Sequence, residues 1–136
     1  MSPYQYVVLR CVPRVEREEF VNVGVVLYCP DEKFLDVAWE ISAAKLHALD
    51  PDLDLDAVAD ALEAVDLICR GEAHTDAATA VRATAYGTRE AADTQGTRFG
   101  MLKAPRSTVV QPGPVHGGVT ANADETLQHL LERLVV

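Results

Sequence analysis

A segment near the C-terminal end of the chain collects the side chains best suited to bind a ligand. Residues 98–123 hold three basic side chains and no Asp or Glu, although the whole chain has 21 acidic and 12 basic residues. We call this segment the basic island. It offers guanidinium, hydroxyl, amide and imidazole groups from Arg98, Arg106, Ser107, Thr108, Gln111 and His116. Guanidinium and hydroxyl donors can hold an anion together, so the island is predicted to be a recognition site.

A second unusual feature is the pair Asn22 and Gly24 inside the apolar run of residues 20–29. Buried strands disfavour both residue types, because Asn needs hydrogen bonds and Gly packs nothing. The pattern predicts a β-bulge, with close approach of a ligand or of another backbone segment at Gly24 as the alternative. Because bulges often lie beside binding sites, both residues join the basic island in the predicted recognition surface.

Two further groups of residues do not predict a metal or cofactor site. Four Asp residues alternate between positions 50 and 56, but the glycine of a calcium loop is missing at its sixth position. These carboxylates suit a helix N-terminus instead. The three cysteines, at positions 11, 29 and 69, lack Cys-x-x-Cys spacing and are expected to be buried small hydrophobic residues. No cofactor and no metal is predicted.

Composition limits the possible functions. A length of 136 residues and 49% hydrophobic content favour a single domain over residues 1–136. The net charge of −9 disfavours nucleic acid and anionic membranes as partners. No apolar run approaches the roughly 20 residues that span a bilayer, and the N-terminal sequence is unlike a signal peptide. A cytoplasmic location is therefore expected, while the oligomeric state stays open.

Hydrophobic periodicity predicts an α+β fold. Strands are expected at residues 4–12, 20–29, 34–40 and 107–111, and helices at residues 42–49, 54–70 and 122–135. Residues 98–104 fit a strand or a short helix equally well, residues 112–118 are expected to form a rigid loop, and residues 71–97 a mobile connector. The expected structure is a two-layer domain: a small antiparallel sheet, with three N-terminal strands and one near the C-terminus, packed against two main helices. The apolar run of residues 20–29 indicates a central strand covered on both faces.

Two sequence segments resemble an uncharacterised bacterial family of domains of unknown function, DUF3037. They are EFVNVGVVLYCP at residues 19–30 and APRSTVVQPGPVHGG at residues 104–118. The resemblance extends over LHALDPDLDLDAV and the closing LERLV, and so over nearly the whole chain. It implies no activity. Genes of this family lie beside genes for HipA-like kinases, which implies a protein partner of that type.

The leading interpretation is an accessory domain that binds a partner protein and is not an enzyme. The recognition surface would combine the basic island with Asn22 and Gly24. The alternative is a small-anion-binding protein or an enzyme that uses Arg106, Ser107, Gln111 and His116.

Overall fold

The computed structural model describes residues 1–72, 93–105 and 108–136. Five strands and four α-helices lie in these ranges. The strands are β1 (Ser2–Cys11), β2 (Val21–Cys29), β3 (Phe34–Trp39), β4 (Val110–Pro112) and β5 (His116–Thr120). The helices are α1 (Ala43–Leu49), α2 (Leu55–Arg70), α3 (Gln95–Leu102) and α4 (Ala123–Leu134).

One antiparallel sheet organises these elements, in the order β3-β2-β1-β4. Strand β1 pairs along one edge with β2, and its other edge is shared by β4 and β5. Strand β4 pairs with residues 9–11 and β5 with residues 2–6 of β1. The predicted α+β class is confirmed. The prediction of one C-terminal strand is wrong, because two short strands share that edge.

Helices cover both faces of the sheet. Helices α1, α2 and α3 lie on what we call the first face, where Val7, Leu9 and Leu62 belong to one buried cluster. Helix α4 lies on the second face, where Leu27 and Leu127 belong to another. The predicted two-layer arrangement is therefore wrong, whereas the prediction that residues 20–29 form a strand covered on both faces is confirmed.

Each helix begins at a polar side chain that accepts backbone N–H groups. Ser42 caps α1, Asp54 caps α2, Thr94 caps α3 and Asn122 caps α4. Such caps satisfy donors that have no partner within the helix. Helix α2 ends at Gly71, whose φ of 77° is a conformation that glycine adopts without steric cost.

The C-terminal half departs from prediction at three places. Residues 98–104, undecided between strand and helix, belong mainly to α3, which also takes residues 95–97 from the predicted connector. Strand β4 begins at Val110, later than expected. Residues 112–118 are not one loop, because His116 already begins β5. The rest of the connector, residues 73–92, lies outside the described residues.

The predicted bulge is present in β2. Leu9 of β1 opposes Gly24, but the next residue, Arg10, opposes Asn22, so Val23 is the extra residue. The bulge directs Val23 into the core of the first face and leaves Asn22 on the second face. A Cβ atom at Gly24 would lie 3.0 Å from the carbonyl oxygen of Ala38 and 3.1 Å from Cβ of Trp39.

Replacing Gly24 by Ala is expected to lower the free energy of unfolding by about 1–3 kcal/mol, because the added methyl group meets the backbone of β3. Gly100, within α3, is the matched control, since a Cβ atom there meets nothing within 4 Å. Gly100→Ala should raise stability by about 0.5–1 kcal/mol through helix propensity. Urea unfolding of both variants measures this, and equal stabilities would contradict the close packing at Gly24.

Asp36 on β3 is expected to make stability depend on pH. Burial raises the pKa of this carboxyl above its usual 3.8, against the opposing effect of the Val37 N–H, which donates to Oδ1 at 2.8 Å. Because the pKa of Asp36 is higher in the folded chain than in the unfolded chain, ionisation of this carboxyl lowers the free energy of unfolding as the pH rises from 3.8 through the folded-state pKa. Asp36→Asn keeps the acceptor, so it should stabilise the protein at pH 7 and lose that advantage below pH 3.8. Urea unfolding at both pH values checks this; a wild type that is the more stable at pH 7 would contradict it.

Candidate functional site

Asn22 and Gly24 make contacts that account for them structurally. The side-chain amide of Asn22 donates to the carbonyl of Leu134 at 3.1 Å, and so satisfies an acceptor at the C-terminal end of α4. Gly24 is buried where β3 passes closest to β2. Neither residue lines the two cavities described below.

The basic island does not present its side chains on one surface. Arg98 of α3 donates to Asp93 at 2.9 Å and lies against Gly71 at the end of α2, on the side of the first face. Lys103 is placed over the ring of Phe99, 5.6 Å from its centroid. Arg106 and Ser107 lie outside the described residues.

Three other predicted residues lie along the β4 and β5 edge. The Thr108 hydroxyl donates to the Val110 carbonyl, and the Gln111 amide donates to the Thr108 carbonyl, each at 2.7 Å. His116 is exposed and opposes Tyr6, with the ring centroids 5.3 Å apart. Gln111 opposes Arg10, four residues further along β1. At about 3.3 Å per residue, Gln111 and His116 are roughly 13 Å apart along the strand.

An apolar groove lies on the first face between α2 and β4. Its volume is about 380 Å³. Leu9, Leu102 and Val110 are its most buried lining residues, and Val109, 39% exposed, lies at its rim. Along α2 it is lined by residues with short or branched side chains, Ala57, Ala61, Ala64, Val65 and Ile68. The short alanine side chains keep the groove open toward solvent.

An acidic residue borders this groove. Asp60 follows Ala57 by three residues and precedes Ala64 by four, so helical spacing places it beside both. The Asp60 side chain is exposed. Within the described ranges of the chain, Asp60 forms no salt bridge. Among the described residues, the helix side of the groove therefore carries a negative charge that no cation pairs with.

A second cavity, of about 500 Å³, lies where β1 and β4 meet the turn that leads to β2. We call it the Arg10 pocket; it is lined by Arg10, Val12, Val15, Glu16, Glu18, Phe20 and Gln111. The guanidinium of Arg10 is placed over the Phe20 ring, 4.0 Å from its centroid. Its Nε atom is buried without a hydrogen-bond partner. A buried donor left without an acceptor costs about 1–3 kcal/mol, so this arrangement is expensive unless a ligand supplies the acceptor.

Arg10 was not among the predicted site residues, because it stands alone in its strand, whereas the cations of the basic island lie near one another in sequence. The available signal was a lone Arg within the apolar strand YQYVVLRCV. A cation in such a run needs an acceptor from elsewhere in the fold or from a ligand.

Nucleophilic cysteine chemistry has no support in the described part of the chain. All three cysteines are buried and free. Burial raises the pKa of Cys11 to about 11. Burial, with Asp36 and Asp66 adding to it, raises the pKa of Cys69 to about 12. In residues 1–72, 93–105 and 108–136, no three His, Cys, Asp or Glu side chains are grouped so that they could hold a metal ion.

The architecture defines an α+β domain with a sheet covered by helices on both faces. A family model described as protein of unknown function (DUF3037) matches residues 6–135. The chain belongs to this family, and the resemblance found in the sequence is confirmed. Comparison with curated proteins and with solved structures gives no match. Among the helices of the described residues, none has the length and apolar character to cross a membrane.

The buried thiols are expected to be unreactive in the folded protein. A pKa that rises from 9.0 to about 11 lowers the thiolate fraction of Cys11 at pH 8 by about 100-fold. The thiolate fraction of Cys69 should be lower still, because its pKa rises to about 12. Reaction with Ellman's reagent should be slow without denaturant and fast in urea. A native thiol that reacts as fast as in the unfolded chain would contradict this burial.

Proposed function

We propose that this chain is an accessory domain that binds a partner protein in the groove between α2 and β4. The observation that carries the proposal is the groove itself, an apolar cavity of about 380 Å³ that opens at the surface beside Asp60, an exposed acid that forms no salt bridge within the described residues. Contiguous apolar surface rimmed by charge is typical of protein–protein contacts. The basic island contributes Thr108, Val109, Val110 and Pro112 to the lining.

The chemistry of the groove favours a basic amphipathic segment of the partner. Apolar side chains of that segment would fill the space between the alanines of α2 and Val109. Lys or Arg on its flank would meet Asp60. The chain's net charge of −9 would attract such a segment from a distance. The family resemblance makes a HipA-like kinase the partner that we propose to test first.

The alternative of a small-anion binder or enzyme built on Arg106, Ser107, Gln111 and His116 has less support. Only Gln111 and His116 of this set are described, and they are roughly 13 Å apart along the strand direction. At that separation, a small anion bound by one of these two side chains would lie beyond hydrogen-bond distance of the other. We therefore propose a binding role without catalysis.

Charge reversal beside the groove is the test. We expect Asp60→Lys to weaken binding of the partner at least tenfold, a loss of about 1.4 kcal/mol, because like charges would then face each other. Ala64→Trp should have a similar effect by filling the groove. Glu132→Lys is the matched control, since Glu132 is exposed, lies outside the groove and gives the same change in net charge.

The measurement is a pull-down from the source cell by tagged wild type and each variant, followed by mass spectrometry and then by titration of the captured protein. Proteins that bind the wild type and the control but not the two groove variants support the proposal, and a HipA-like kinase among them supports the finer assignment. A partner that binds the wild type, both groove variants and the control equally well would contradict binding in the groove.

A further inference from the structure

Arg10 lies in a polar row that crosses three strands on the second face. The sheet register places it between Asn22 of β2 and Gln111 of β4. The side-chain N–H group of Asn22 donates to Leu134, and that of Gln111 donates to Thr108. Neither amide provides a charge to balance the guanidinium.

The guanidinium is fixed in place without an ionic partner. The Phe20 ring lies on one side at 4.0 Å, and Gly113 lies so close that a Cβ atom there would be 2.6 Å from Nη2. Nε is buried without an acceptor, and no salt bridge to Arg10 forms within residues 1–72, 93–105 and 108–136. A planar fork of donors that is held in this way suits a carboxylate, which can accept two parallel hydrogen bonds.

Two acidic residues of the same pocket restrict which carboxylate ligands fit. Glu16 and Glu18 line the same pocket and are exposed. The backbone of Glu18 adopts a left-handed conformation, with φ at 58°. A simple anion on Arg10 would be repelled by both acids, whereas a ligand with a positive group at its other end would be attracted by them. Val12, Val15 and Phe20 would contact the apolar part between the two charged ends.

We propose that the Arg10 pocket binds a small zwitterion of the amino-acid type. Its carboxylate would lie on Arg10 and its ammonium group beside Glu16 and Glu18. The site is independent of the partner-binding groove, because it lies on the opposite face of the sheet. Failure of one proposal therefore leaves the other standing.

The test compares ligands that differ in a single charged end. The probes are 4-aminobutanoate and 6-aminohexanoate, with butanoate, hexanoate, butylamine and hexylamine as matched single-charge compounds. Binding is followed by two-dimensional NMR on the whole chain, including the side-chain N–H signal of arginine. We expect one of the two zwitterions to shift the signals of the pocket residues and to bind at least about tenfold more tightly than either of its single-charge relatives. Equal binding of zwitterion and carboxylate, or no shift of any pocket signal at millimolar concentrations, would overturn the proposal.

Variants separate binding from folding. Gly113→Ala would push the end of the Arg10 side chain out of its position, so it should lose at least tenfold in affinity for the zwitterion while the thermal melt stays near that of the wild type. Arg10→Gln should lose binding as well. Arg17→Gln is the matched control, because Arg17 is exposed, pairs with Glu19 on the same turn and does not line the pocket. Wild-type affinity in Gly113→Ala and Arg10→Gln would overturn the assignment.

A further double variant tests the role of Glu16 and Glu18 while Arg10 stays unchanged. Glu16→Gln with Glu18→Gln removes the negative wall. The preference should then reverse, so that hexanoate and butanoate bind at least as well as the matching zwitterions. A zwitterion preference that survives in this double variant would show that the ammonium group contacts other residues, and that outcome would overturn the proposed orientation.

Discussion

The bulge at Val23 decides which side chains of β1 and β2 lie on each face of the sheet. Without the extra residue, the register from Leu9 and Gly24 would continue by placing Val23 beside Arg10 and Asn22 beside Cys11. Asn22 would then enter the apolar core beneath α2, where an amide without partners is costly. With the bulge, Val23 lies in that core and Asn22 reaches the C-terminal end of α4. One inserted residue thereby fixes the contact between β2 and the last helix, and it completes the polar row around Arg10.

The sequence predicted those elements whose side chains follow a clear period. Helices α2 and α4 have apolar stripes and capping residues at Asp54 and Asn122, and both formed within one or two residues of the expected bounds. Strand β5 was missed for a physical reason. Its HGGVT sequence has low strand propensity, so pairing with β1 determines its conformation. The two-layer prediction was wrong, although the apolar run of β2 had correctly indicated a strand covered on both faces. A sheet covered on both faces requires helices on each side, and so three layers.

The candidate site was predicted less well, since cations were judged by their neighbours in sequence. Arg98 lies in a segment free of acids, yet Asp93 from just outside that segment pairs with it. Arg10 was passed over inside an apolar strand. Its Nε, like that of Arg98, is buried without an acceptor, but Arg10 forms no salt bridge within the described residues, whereas Arg98 pairs with Asp93. Gln111 was found for its amide group, but its place beside Arg10 depends on strand register, which local patterns do not give. Which charges are compensated is a property of the tertiary fold.

Strand β4 relates the two candidate surfaces. Neighbouring residues of a strand point to opposite faces, so Val110 lines the groove on the first face while Gln111 lines the Arg10 pocket on the second. The two surfaces differ in charge as well as in face. Within the described residues, Asp60 beside the groove forms no salt bridge, and Arg10 forms none in a pocket that Glu16 and Glu18 also line. An acidic chain repels anions in general, so a carboxylate would gain from the Arg10 pocket chiefly when it carries its own compensating positive charge. The net charge of −9 thus supports both proposals, a basic partner segment at the groove and a zwitterion rather than a simple anion in the pocket.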